Sequence, residues 1–87
     1  MITRNATVGS PNGLHARPAA VFVRAAEATG HDITISLGDS QADAASLLEV
    51  MTLGASYQDE VTLTCEDDAA EASLDELVTL IEENQEA

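Results

Sequence analysis

Apolar residues follow two rhythms along the chain, one of period two and one of three to four, and the switches between them mark the elements. Residues 2–8 (ITRNATV) alternate, with Ile2, Ala6 and Val8 on one face, and predict a strand. Residues 9–13 (GSPNG) have the turn-forming composition of a loop. From Ala16 to Ala28 the apolar residues Ala19, Phe22, Val23 and Ala26 recur at helical spacing, and Thr29-Gly30 punctuates the end. Residues 32–37 (DITISL) alternate Ile33, Ile35 and Leu37, and residues 38–44 (GDSQADA) read as a turn into a short strand.

Ser46 to Leu53 predicts a short helix closed by Gly54. Residues 60–66 alternate again, with Val61, Leu63 and Cys65 inward. Asp68 with Glu71 is a start signal for a last helix, whose core stripe is Leu74, Leu77, Val78 and Ile81. The order is βαββαβα. Strands with one apolar face and helices with one apolar stripe predict an α+β domain of two layers, a sheet covered on one side by helices. The pattern gives no strand order. No repeat, low-complexity segment or linker divides residues 1–87, which read as one domain.

Composition sharpens this picture through charge. Sixteen acidic residues against three basic ones give a net charge of −13, and Arg4, Arg17 and Arg24 account for every base. Nucleic acid is therefore a poor partner, because its phosphates would be repelled, and anionic membrane surfaces are disfavoured for the same reason. Such self-repulsion weakens once the Debye length falls to ~3 Å at 1 M salt, which suggests a halophilic host with a salt-rich cytoplasm; an acidic protein of an ordinary cell is the alternative. No apolar run reaches membrane-spanning length and no secretory leader stands at the start, so a cytoplasmic protein without membrane insertion is expected. Cys65 is the single cysteine, which excludes an internal disulfide and fits a reducing compartment. Nothing signals an oligomer, and a monomer is expected.

Against that background the stretch GLHARPAA, residues 13–20, is conspicuous for placing an imidazole and a guanidinium together at a helix start. The first amides of a helix lack intrahelical partners and, with the macrodipole, form an anion site. Pro18 is tolerated in that first turn, although it disfavours helical geometry at Arg17, so the first helical residue is Ala16 or Pro18. Either way His15 stands at the mouth of the helix, where the positive end favours a neutral, nucleophilic ring. The main-chain amides of Ala16 and Arg17 would bind a phosphoryl group on that ring, and the Arg17 side chain would offset charge during transfer. Arg17, Ala20, Val21 and Arg24 share one helical face, a mixed patch suited to an acidic or phosphorylated partner. Taken alone, however, His-x-Arg-Pro is better explained by a capping or surface histidine. His31 is expected to be alone and exposed in a turn. The acids show no metal-ligand spacing, so no metal or other cofactor is expected.

Residues 12–20 (NGLHARPAA) resemble the active-site signature of the HPr family, the histidine-containing phosphocarriers of the sugar phosphotransferase system, and residues 46–55 (SLLEVMTLGA) resemble its second characteristic segment. The resemblance spans essentially the whole chain and turns the reading of His15 from cap to phosphoryl acceptor. It implies an HPr-like open-faced β-sandwich, with a four-stranded antiparallel sheet and three helices on one face. It implies that His15 takes a phosphoryl group on Nδ1 from phospho-enzyme I, itself charged by phosphoenolpyruvate. The group then passes to a histidine of an enzyme IIA domain, in sugar uptake of fructose type. Arg17 would assist transfer and Pro18 would shape the helix start. The protein would be a stoichiometric carrier, not an enzyme.

Leu47, Leu48 and Met51 match the family's apolar docking positions, alongside Arg17, Ala20 and Arg24; simple core packing is the alternative for the first three. Ser46 matches a regulatory phosphorylation site of many relatives, but here Glu49 completes a capping box with it and would repel a phosphate. Three rivals stand: the same chemistry feeding a dihydroxyacetone kinase or a nitrogen-related regulatory branch, a non-catalytic regulatory binding protein, and a hydrolase with His15 as general base.

Overall fold

The computed structural model describes residues 1–83. Its elements run β1 (Ile2–Thr7), α1 (Ala16–Ala28), β2 (Ile33–Leu37), β3 (Ser40–Asp43), α2 (Leu47–Leu53), β4 (Glu60–Cys65) and α3 (Glu71–Glu82), with a 3-10 turn, Asp68–Ala70, leading into α3. Order and type agree with the hydrophobic pattern. The start of α3 does not. Asp68 does not cap it: α3 has Ala70 at its N-cap with no side-chain cap, and Asp67 caps the 3-10 turn ahead of it, accepting from the Ala69 N–H at 2.9 Å. The 3-10 turn at 68–70 leaves Asp68 to take the Met1 ammonium at 2.8 Å. That hydrogen bond raises the Met1 α-amino group above its usual value. In α3 itself Leu74, Leu77 and Ile81 are buried, whereas Val78 is half-buried.

The four strands form one antiparallel sheet in the order β1-β4-β2-β3, so the last strand in sequence is inserted between the first and second. Register sorts the side chains into two faces. Rows such as Ala6–Val61 and Leu63–Ile35–Ala42 point to the helices and are buried. On the opposite face two rows run across all four strands, Thr3–Thr64–Thr34–Asp43 and Asn5–Thr62–Ser36–Gln41. Hydroxyl and amide side chains let that face stay hydrated without a second covering layer. Arg4 lies in an inward row at the sheet edge and is anchored to α3, with Nε 2.9 Å from Asp75 Oδ1 and Nη2 3.4 Å from Glu71 Oε2. An inward charge of this kind also blunts an edge strand against pairing with another chain.

The helices meet the sheet through narrow stripes. Ala19, Phe22, Val23 and Ala26 of α1 are buried, as is Val50 alone in α2. Phe22 is the one buried aromatic side chain, and its burial contributes roughly 2–3 kcal/mol. His31 departs from its expected exposure. It is half-buried, with Nδ1 3.5 Å from Asp67 Oδ2, because the start of β2 lies beside the end of β4 in register.

The α2–β4 loop holds the one non-glycine residue with a positive φ among the described residues, Gln58 at 71°. A side chain in this left-handed region costs about 1–2 kcal/mol relative to the right-handed basin. Gln58→Gly is therefore expected to raise stability by about 1 kcal/mol, after the greater freedom of glycine in the unfolded chain is subtracted. The check is a higher urea midpoint at unchanged m-value.

Candidate functional site

The segment joining β1 to α1 is held to the body of the protein by main-chain bonds from end to end. Val8 donates to the Asp59 carbonyl at 2.9 Å and its own carbonyl accepts from Gln58 at 2.8 Å. Gly9 donates to the Ile81 carbonyl at 3.0 Å, Gly13 to Ser10 at 2.8 Å, and Leu14 to Ala55 at 2.9 Å. The Leu14 side chain is buried in the core. Gly13 has φ +76°, and a Cβ there would lie 2.4 Å from the Ala55 carbonyl oxygen, so no other residue fits without displacing the loop.

This anchoring delivers His15 to the N-cap of α1. Its backbone is extended (φ −89°, ψ −165°), its carbonyl accepts the first helical bond from Ala19 at 2.8 Å, and its side chain makes no capping bond. The ring is exposed. Ala16 is the first helical residue, and the proline constraint on Arg17 is absorbed inside the helix. Pro18 is buried and has no N–H, so the amides of Ala16 and Arg17 are the ones left without an intrahelical acceptor. No acidic side chain lies in that first turn to compete for them. Three consecutive residues at an exposed helix start thus carry an imidazole, two spare amides and a guanidinium, a setting that favours an anionic group there.

The neighbouring charges are as telling. Among the described residues the ion pairs engage Arg4 and the Met1 ammonium, and none engages Arg17 or Arg24, both exposed. Leu47, Leu48 and Met51 are 41%, 77% and 36% exposed, which removes core packing as their explanation. A shallow groove of about 270 Å³ between α1 and α2 is lined by Ala20, Val23, Arg24, Glu27, Ala45 and Leu47, so Arg24 and the apolar residues adjoin, with one acid among them. A recess of about 780 Å³ is lined by residues such as His31, Glu49 and Asp67 and includes none of the 13–20 segment. The site around His15 is a surface rather than a cleft. No group of three or more potential metal ligands occurs among the described residues, nor any helix long and apolar enough to cross a membrane.

Ser46 caps α2 as expected, its Oγ accepting from the Glu49 N–H at 3.3 Å. The other half of the expected capping box is absent. The Glu49 carboxylate accepts from the Asp43 N–H at 3.1 Å, because the Ser46 N–H is already taken by the Asp43 carbonyl at 3.0 Å. What the sequence reading missed is the loop 55–59 behind His15; its one local signal is the Ser56-x-x-Asp59 spacing, typical of a side-chain-capped turn.

Comparison with known proteins agrees with this geometry. Residues 2–83 match the family model described as "PTS HPr component phosphorylation site". The phosphocarrier protein HPr of Streptomyces coelicolor is 47% identical over 87 residues, covering 99% of this chain and 94% of that one. The phosphocarrier protein HPr of Haloferax volcanii is 40% identical over 80 residues, 90% of each chain. Among solved structures, an HPr of Thermoanaerobacter tengcongensis superposes with a TM-score of 0.87 at 35% identity, covering 94% of this chain and 92% of that one.

Because the Ser46 hydroxyl satisfies one of the orphan amides of α2, Ser46→Ala is expected to lower stability by about 1 kcal/mol in chemical denaturation.

Proposed function

The chain belongs to the HPr family of phosphocarriers of the phosphotransferase system, and from that premise we propose that His15 is its phosphoryl-bearing residue. As a family member it is a carrier and not an enzyme. The observation that supports His15 is its exposed position on the N-cap of α1, immediately before the spare amides of Ala16 and Arg17. In this reading phospho-enzyme I is the donor. The P–N bond to the donor imidazole breaks, its electron pair staying on that nitrogen, as the lone pair of His15 Nδ1 forms the new bond to phosphorus. Arg17, with no acid competing for it, offsets the charge spread over the equatorial oxygens. Pro18 fixes the first turn while withdrawing one amide. Reversal of the same step on a histidine of an enzyme IIA domain, of fructose type, discharges the carrier.

Docking in this proposal uses Arg17, Ala20 and Arg24 of α1 with Leu47, Leu48 and Met51 of α2. Ser46 serves as a helix cap: its hydroxyl is engaged, and Asp43 and Glu49 would repel a phosphate placed there. The 87 residues act as one monomeric domain in the cytoplasm, and the charge of −13 suits concentrated salt.

Incubation with phosphoenolpyruvate and enzyme I is expected to place an acid-labile, base-stable phosphate on one site, absent from His15→Ala. An unmodified wild-type protein beside active enzyme I overturns the proposal. Arg17→Ala is expected to slow transfer while leaving thermal unfolding unchanged. The melting temperature should climb as potassium chloride is raised to molar levels; a flat profile refutes the salt adaptation.

A further inference from the structure

We infer that Asp59, which lies in the α2–β4 loop and touches neither the phosphoryl group nor its acceptor in the proposed transfer, is a positioning residue for His15. The inference rests on His15 being the acceptor. It starts from a single peptide group, the one joining Ala55 to Ser56. Its N–H donates to Asp59 Oδ2 at 2.9 Å, and its carbonyl accepts from the Leu14 N–H at 2.9 Å. A peptide unit is planar, so fixing the direction of the N–H fixes the direction of the carbonyl on its other side. A bond from an amide to a carboxylate is also stronger than one between neutral groups, and it polarises the carbonyl toward a better acceptor.

Leu14 is thereby held immediately before His15, and little slack remains. Gly13 passes so close to the Ala55 carbonyl that even a Cβ is excluded, and the Leu14 side chain is locked in the core. Asp59 secures the other end of the same segment as well. Its carbonyl accepts from Val8 at 2.9 Å and its N–H donates to the Ser56 carbonyl at 3.0 Å, closing the turn. Without the carboxylate the 55–56 peptide is free to tilt, Leu14 loses its fixed acceptor, and the backbone that places His15 at the helix start loosens. Transfer through a surface histidine with no enclosing pocket depends on that alignment, since no cleft walls restore it.

The hydrogen bond and the negative charge of Asp59 have opposite consequences. Were the charge the influence on His15, removing it would favour a phosphoryl dianion nearby, and Asp59→Asn and Asp59→Ala would both transfer as fast as wild type or faster. The positioning role predicts instead that Asp59→Asn, which keeps an acceptor oxygen, transfers within about twofold of wild type, while Asp59→Ala slows roughly tenfold. Rates are taken from single-turnover transfer from phospho-enzyme I in molar potassium chloride, well below each variant's melting temperature, so that folding losses do not enter. Nitrogen-15 NMR of the His15 ring and amide exchange at Leu14 and Ser56 supply readouts that global stability alone does not move. In Asp59→Ala the ring signals should shift and both amides exchange faster, with the amides of α3 unchanged. Asp59→Leu, similar in size and without an acceptor, replaces the alanine variant if that one does not fold. Wild-type rates in Asp59→Ala or Asp59→Leu, or equal losses in Asp59→Asn and Asp59→Ala, overturn the inference. A wild-type protein that takes no phosphate on His15 strikes the earlier reading of His15, whereas normal wild-type transfer with an equally fast alanine variant strikes Asp59 alone.

Discussion

The hydrogen bond from Leu14 to the Ala55 carbonyl is the constraint around which the functional end of this fold is built. It stops the β1–α1 segment at a fixed point, with Leu14 in the core and Gly13 pressed against the α2–β4 loop. Helix α1 consequently begins at a defined residue, and the residue before it is a histidine. Had the loop been freer, the first turn would be open to fraying, since its own amides have no intrahelical acceptors to hold it. Position is supplied by the backbone, chemistry by one ring and two spare amides.

Much of this was legible in the chain because it is written locally. The Ala19–Phe22–Val23–Ala26 stripe and the alternation of Val61, Leu63 and Cys65 each report their own burial, and the structure buries every one of them. The cluster of His15, Arg17 and Pro18 was legible for the same reason, being contiguous. Strand order was not, because the insertion of β4 between β1 and β2 depends on which edges meet in space, and periodicity carries no such information. A 3-10 turn capped by Asp67 stands where the spacing of Asp68 and Glu71 reads as the start of α3, a difference below what spacing resolves. His31 drew a partner from just beyond β4, a relation with no signature near the residue itself, whereas the Asp59 carboxylate bond to Ser56 shows only as a three-residue spacing and the Asp59 carbonyl bond to Val8 not at all.

Charge is distributed with a division of labour. Arg4 is consumed in holding β1 to α3 through Asp75 and Glu71. Arg17 and Arg24 share α1 and pair with no acid among the described residues, while Leu48 and its neighbours on α2 stay uncovered. The open face of the sheet contributes mainly hydroxyls and amides, with Asp43 and Glu60 as acids, so no cationic or large apolar surface competes there with the face formed by the helices.

That pairing of two free guanidinium groups with bare leucines governs how a collision becomes a complex. In dilute electrolyte the net charge of −13 would push an acidic protein away over about 10 Å at 0.1 M ionic strength, least so on the side of the two guanidinium groups. In brine that long-range repulsion shrinks to nearly contact distance. Recognition then falls to dehydration of the aliphatic side chains, which concentrated salt does not weaken in the same way, so the molecule would exchange a resisted approach for a free one and rest its grip on apolar contact.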